Sequence, residues 1–340
     1  MCVAVLLGSC AGRTPASGRA GHSEDVVFTE YSPLSRSEEI ARRTLPPLTF
    51  RRGLELFSAK GKKLGEQQID LAKEKFAVYL PAGVPPRNGY GLLVFIAPWS
   101  EATRLKRWQA AFDRHGMIFV SAAKSGNDES VLDRRLPLAL LAYENVRARF
   151  PLDPKRVYVG GLSGGSRVAE IAALAYPDVF RGALLNAGSD PIGGEAGIYP
   201  PPADLFRKFQ KTRIVYVTGG KDEGNLATDH TSQRSMRRFC VFDIEILTPP
   251  ELWHRALDSD SLDRALDALD QRSPPEPDEL AQCNVRLQRD LATKIAQAEA
   301  AIARGNREDA RGRIKEIDAQ YGGVAASAIY DLDAKLTAQR

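Results

Sequence analysis

Between Arg156 and Phe180 the sequence reads RVYVGGLSGGSRVAEIAALAYPDVF, and this stretch constrains the chain more than any other. An apolar, β-branched run enters Gly161-Leu162-Ser163-Gly164-Gly165, and a run with helical spacing leaves at once. Such a strand–turn–helix carries the pattern G-x-S-x-G, in which a serine at the apex of a sharp turn lifts its hydroxyl above a sheet. Positions two before and two after it must lack bulk, because strand and helix approach closely there. Gly161 and Gly165 meet that need, and the amide of Gly164 at the helix start can donate to an oxyanion. Ser163 is therefore the candidate nucleophile.

The neighbouring sequence supplies a sheet for this turn. Phe76–Leu80, Leu92–Ala97, Met117–Ala122, Arg156–Gly160, Gly182–Asn186, Ile214–Thr218 and Val241–Leu247 read as strands. LLVFIA at 92–97 is apolar without alternation, as in a strand buried on both faces. Segments 102–114, 131–150 and 166–176 have helical spacing between them. Alternation of this kind predicts an α/β fold: a mostly parallel sheet with helices on both faces. Residues 25–73 are less regular and are expected to add a flanking helix and an early antiparallel strand.

After Ser273-Pro-Pro-Glu-Pro277 no strand candidate remains. Residues 278–340 form a helical appendage with breaks at Gly305-Asn306 and Gly322-Gly323, similar to a single tetratricopeptide hairpin but too short for a solenoid. It either packs on the main domain, 25–272, or offers a surface to a protein partner.

The chain opens MCVAVLLGSC, where Leu7-Gly8-Ser9-Cys10 resembles a bacterial lipobox. Cys10 would then carry lipid, residues 11–24 would be a flexible tether, and the protein would be an exported, periplasmic or membrane-anchored lipoprotein. A start upstream of Met1 would supply the missing basic flank; without a signal here the protein is cytoplasmic. Export would permit a bond between Cys240 and Cys283, whose geometry the sequence leaves open.

Composition removes several classes. Forty-seven basic against 43 acidic residues, dispersed, give no electrostatic footprint for nucleic acid. Four cysteines without CxxC spacing exclude a zinc module. No H-E-x-x-H, Walker loop or dinucleotide-binding G-x-G-x-x-G occurs in the right context, so no metal or other cofactor is expected.

The segments FAVYLPAGVPPRNGYGLLVFIAPWS, RVYVGGLSGGSRVA, IVYVTGGKDEGN and ILTPPELWH together resemble the α/β-hydrolase superfamily, nearest to secreted bacterial esterases related to polyhydroxybutyrate depolymerase and feruloyl esterase. The resemblance covers about residues 74–272. It implies a triad in the order serine, acid, histidine. Asp222, after IVYVT, is the favoured acid, ahead of Asp190, Glu223 and Asp229. His254, after the last strand, is the favoured base. His22 lies in the tether, His115 at the end of a surface helix with a solvated or capping role, and His230 near a helix start. In the family a His-Gly pair follows the strand before the first helix. Here Ala97-Pro98-Trp99 stands there, and proline has no amide hydrogen, so Trp99 or Ser100 must supply the second oxyanion donor. Ile192, Ile198, Tyr199 and Phe206, in the long loop 189–209, either line an acyl or aryl pocket or pack that loop. The implied activity is cleavage of a small-molecule or polymeric carboxylic ester. A peptidase or thioesterase on the same triad, or a non-catalytic binding lipoprotein keeping the fold, are the alternatives.

Overall fold

The computed structural model describes residues 20–62, 64, 69–103 and 106–338. Cys10 and most of the expected tether lie outside the described residues. Eight strands form one sheet: β1 (Gly21–Val26), β2 (Phe76–Leu80), β3 (Tyr90–Ile96), β4 (Met117–Ala122), β5 (Leu152–Leu162), β6 (Gly182–Asn186), β7 (Arg213–Val217) and β8 (Ile244–Leu247). Their order is β1-β2-β4-β3-β5-β6-β7-β8. β2 runs antiparallel to β1 and to β4, and every pairing from β4 to β8 is parallel.

The helices are α1 (Ser37–Thr44), α2 (Pro47–Ala59), α3 (Gln109–His115), α4 (Leu136–Arg149), α5 (Gly164–Ala175), α6 (Ala203–Phe209), α7 (Glu223–Arg238), α8 (Ser259–Asp270), α9 (Pro277–Ala303), α10 (Arg307–Tyr321) and α11 (Ala326–Ala338). The helix expected over 102–114 is shorter, a 3-10 turn at Lys106–Trp108 leading into α3.

The apolar run of β3 feeds two cores. Leu92, Val94 and Ile96 point to one face, with α4 and α5; Leu93, Phe95 and Ala97 point to the other, with Trp108, Phe112 and the Leu262–Leu269 side of α8. Each side chain of the run is thus withdrawn from water, which is why the run does not alternate. β4 leaves β3 in one direction and β5 returns to its other side, so the connections reverse between β3 and β5. A crevice opens at the carboxyl ends of strands at such a reversal.

The early antiparallel strand exists, but it starts before the expected boundary. Gly21, His22 and Ser23 pair with Leu80, Tyr79 and Val78. The segment is therefore a strand from Gly21 onward, because the open backbone edge of β2 captures it even though its side chains are mostly polar. His22 stacks on Tyr79, with ring centroids 4.9 Å apart.

The appended helices share the core of the sheet. Ile302, Ile314, Ile317, Tyr321, Ile329 and Leu332 are buried in the same cluster as β3 and α5. Tyr321 meets Phe239 edge-on at 6.2 Å, and a disulfide joins Cys240 to Cys283 of α9. α11 returns to α2, where Arg51 pairs with Asp333 and lies over the Tyr330 ring. Among the described residues no helix is long and apolar enough to cross a membrane.

Asp318 of α10 marks this seam. Burial raises its carboxyl to about 6, against the opposing hydrogen bond from Leu48 N and the charges of Arg52 and Arg51. Its folded-state value lies above the ordinary 3.8, so protonation favours the folded chain. That contribution is full below the ordinary value and is lost as pH rises through about 6. Asp318→Asn keeps an acceptor for Leu48 and removes the buried charge. Its thermal midpoint at pH 8 should exceed that of the parent by about 2 °C, with no gain at pH 4.5. Equal changes at both pH values would show that the carboxyl does not titrate at this seam.

Candidate active site

At the carboxyl end of β5 the chain turns through Ser163, whose φ of 57° and ψ of −123° are unusual for a residue with a side chain. A Cβ on Gly161 would stand 2.3 Å from the carbonyl of Gly165, and one on Gly165 only 2.0 Å from the Ile96 carbonyl oxygen. Both glycines are therefore sterically required, and they let α5 start directly against β3 and β5. Ser163 N donates to Asn186 O at 2.8 Å.

His254 comes to Ser163 from the loop after β8. Its Nε2 lies 2.9 Å from Ser163 Oγ, and its Nδ1 lies 2.7 Å from Asp222 Oδ2. Facing a carboxylate, Nδ1 carries the proton and donates it; Nε2 then offers its lone pair to the serine hydroxyl. The loops carrying acid and base are zipped together: Gly220 N donates to Pro249 O and Lys221 N to Leu252 O. Asp222 is nearly buried, whereas 45% of the His254 side chain is exposed.

A residue not singled out in the sequence completes this arrangement. Asn225, in the first turn of α7, donates Nδ2 to both oxygens of Asp222 at 2.9 and 3.0 Å, and the same nitrogen lies 3.0 Å from His254 Nδ1. Burial raises the pKa of Asp222, but the hydrogen bonds from Asn225 and His254 outweigh it and hold the carboxyl below its ordinary value. The i to i+3 spacing of Asp222 and Asn225 at a helix start was the available signal.

The other acids and histidines have different partners. Asp190 pairs with Arg167 at 3.2 Å, and its amide donates to the buried Glu170. Asp229 is buried and accepts from Ser189 and Thr218 hydroxyls, both at 2.5 Å. Glu223 is exposed at the start of α7. His230 stands mid-helix on the exposed side of α7, not near its start, because the helix already begins at Glu223. His115 is neither solvated nor a simple cap: 8% of its side chain is exposed, and Nε2 lies 3.1 Å from Asp263 of α8.

For an oxyanion, Gly164 N donates to no carbonyl among the described residues, and neither does Trp99 N or Ser100 N. Ser100 is the more occupied of that pair. Its carbonyl accepts from Lys124 N, and its amide nitrogen would be 3.1 Å from a Cβ on Gly126.

Ile192, Ile198 and Phe206 are buried in the core shared with the C-terminal helices, the packed alternative for this loop. Their loop is held down by Gly194 N on Ala319 O, Gly323 N on Pro200 O and Ile192 N on Ser235 Oγ. Ile198 and Tyr199 line an apolar cavity of about 250 Å³ with Ile171 and Leu174. Those two residues lie eight or more positions along α5 from Ser163, roughly 12 Å at about 1.5 Å per residue. The loop looked like a mouth because nothing in the sequence shows that α10 covers it.

Asn225→Ala leaves Asp222 free to rotate and lets its pKa rise. It should lower kcat/KM for a nitrophenyl ester about tenfold with KM little changed, and its activity should fall away at a higher pH than the parent's as Asp222 takes up a proton. A variant with an unchanged pH profile would show that Asn225 does not support the acid.

No family model matches the chain. Over 45 residues, 13% of this chain and 11% of the relative, it is 49% identical to poly(3-hydroxyalkanoate) depolymerase C of Paucimonas lemoignei. Its structure is similar to that of a thermostable esterase, at 13% identity and a TM-score of 0.42, covering 59% of this chain and 60% of that one. It is also similar to S-formylglutathione hydrolase from Staphylococcus aureus, at 16% identity and a TM-score of 0.44, covering 58% and 93%. A ferulic acid esterase is similar at 15% identity and a TM-score of 0.43, covering 57% and 89%. By its own strand order, and by the serine turn between β5 and α5, the chain has an α/β-hydrolase fold with an added C-terminal helical layer.

Proposed function

We propose that the protein is a serine hydrolase that cleaves a carboxylic ester. The observation that carries this reading is the unbroken relay from Ser163 Oγ through His254 to Asp222, with 2.9 and 2.7 Å links. Ser163 Oγ attacks the ester carbonyl carbon while its proton passes to His254 Nε2, and Asp222 stabilises the imidazolium. The carbonyl oxygen, now negative, accepts from the amides of Gly164 and Trp99. Collapse breaks the carbon–oxygen bond to the alcohol, which leaves with the proton from His254. Water then attacks the acyl-enzyme, again giving a proton to His254, and the acid departs with Ser163 restored. The short likeness to a polyhydroxyalkanoate depolymerase favours an ester, small or polymeric, over an amide.

Ser163→Ala should abolish hydrolysis of p-nitrophenyl butyrate and labelling by a fluorophosphonate without changing the unfolding midpoint. His254→Ala and Asp222→Asn should each cost about ten-thousand-fold in kcat, and the double variant should be little worse than the poorer single one. Turnover by Ser163→Ala at the parent rate would remove the serine from the mechanism. The control variants His230→Ala and Asp190→Asn should keep most activity.

Export is part of the same proposal, with a lipid anchor on Cys10. The Cys240–Cys283 disulfide supports it, because such bonds persist in oxidising compartments. Palmitate labelling of the full chain in a bacterial host should disappear in Cys10→Ser; equal labelling of both would sink the anchor.

A further inference from the structure

The space beside the nucleophile that a side chain on residue 164 would fill is taken by a residue from another loop. A Cβ built on Gly164 would lie 2.2 Å from Asn127 Oδ1, 2.8 Å from its Cγ and 3.1 Å from its Nδ2. The carboxamide of Asn127 therefore occupies the space beside the Cα of the residue whose amide is the candidate oxyanion donor. Asn127 reaches it from the turn after β4, and two contacts fix that turn to the oxyanion loop: Asn127 N donates to Pro98 O at 3.1 Å, and Gly126 packs against Trp99 and Ser100.

Asn127 is exposed, and its carboxamide makes no hydrogen bond among the described residues. A surface asparagine with no structural bond, pressed on the residue after the nucleophile, has its amide hydrogens available to a bound molecule. The absence of a side chain at Gly164 is what admits it. The missing amide at Pro98 is the second half of the argument, since the loop after β3 has one donor fewer than its length allows.

The geometry points to Asn127 as a third donor to the oxyanion, its Nδ2–H bonding the ester carbonyl oxygen as negative charge develops there. This inference rests on the Ser163 reading and adds a residue to it. A neutral amide suits the position: it donates without a charge of its own, and it strengthens the transition state more than the ground state.

The experiment compares the parent with Asn127→Ala and Gly164→Ala on p-nitrophenyl butyrate, together with inhibition by butaneboronic acid, whose tetrahedral adduct on Ser163 places an oxygen in the oxyanion site. Loss of one such donor costs on the order of a hundredfold in kcat. Asn127→Ala should therefore lower kcat at least tenfold, leave KM within about threefold, weaken the boronate by a similar factor and leave the unfolding midpoint unchanged. Gly164→Ala, which displaces the carboxamide, should lose activity by a comparable factor, and the double variant should lose little more. A smaller fall in either kcat or boronate affinity for Asn127→Ala overturns the proposal while leaving the triad intact. Parent protein with no Ser163-dependent turnover would overturn the hydrolase reading, and this inference with it.

Discussion

The contact on which the rest of the molecule depends is the one between three backbones, at Gly161, Gly165 and Ile96. A serine with positive φ costs about 1–3 kcal/mol and persists only where its surroundings leave no alternative. Here β5 and α5 meet with no room for a Cβ, α5 sits on the end of β3, and the loop after β6 closes the far side, where a Cβ on Gly188 would be 2.5 Å from Ser163 O. Ser166 Oγ donates back to Gly188 O and ties that loop to the helix. Three parallel strands and a helix thus fix one serine, and its place between β3 and β5 follows from the strand order.

Behind that serine the structure sorts its carboxyl groups by the donors each one meets. Glu170 is fully buried and its pKa is pushed well up by desolvation, against hydrogen bonds from Asp190 N and Ser232 Oγ. Asp229 is raised for the same reason, although two hydroxyls donate to it. Asp222, two turns before Asp229 at the start of the same helix, is lowered because the hydrogen bonds from an amide and an imidazole outweigh its burial. Buried acids brace the loop at 187–190, and the acid supplied with two nitrogen donors faces the base. Environments that push like groups apart in this way separate structural from chemical roles.

Much of this was legible because it depends on local spacing. The glycines at 161 and 165 read directly as a close approach, and the unbroken apolar run at 92–97 as a strand covered twice. Asp222 and His254 were legible by position, each following a strand that ends at the same edge. What was not legible depends on contacts between distant segments. The 189–209 segment carries apolar residues that look equally like a pocket or a core, and only their contacts with the C-terminal helices decide between them. His115 looked solvated because its acidic neighbours arrive from α8, some 150 positions later in the chain. The early antiparallel strand was expected, but its start at Gly21 was not, because edge pairing needs backbone, not side chains. Asn225 and Asn127 are common loop and helix-start residues whose meaning comes from the atoms they touch.

The position of the C-terminal helices also bears on how such a site can work. Because α9–α11 pin the long loop away from Ser163, the loops around the triad are the short ones at 97–103, 123–130, 218–222 and 248–258. Nearly half of the His254 side chain is exposed, and the adjoining Trp253 is 60% exposed. An open site of this kind gains little from excluding water, which in closed sites strengthens every electrostatic contact. Stabilisation of developing charge must then come from donors fixed in place before the substrate arrives. Under the proposed mechanism such fixed donors are the amides at the elbow and in the β3 loop, while the Asn225 carboxamide holds the acid that faces the base. Rigid backbone and short polar side chains anchored on helix starts do the work that a lid performs elsewhere, and that explains why so much of the chain is spent holding four short loops still.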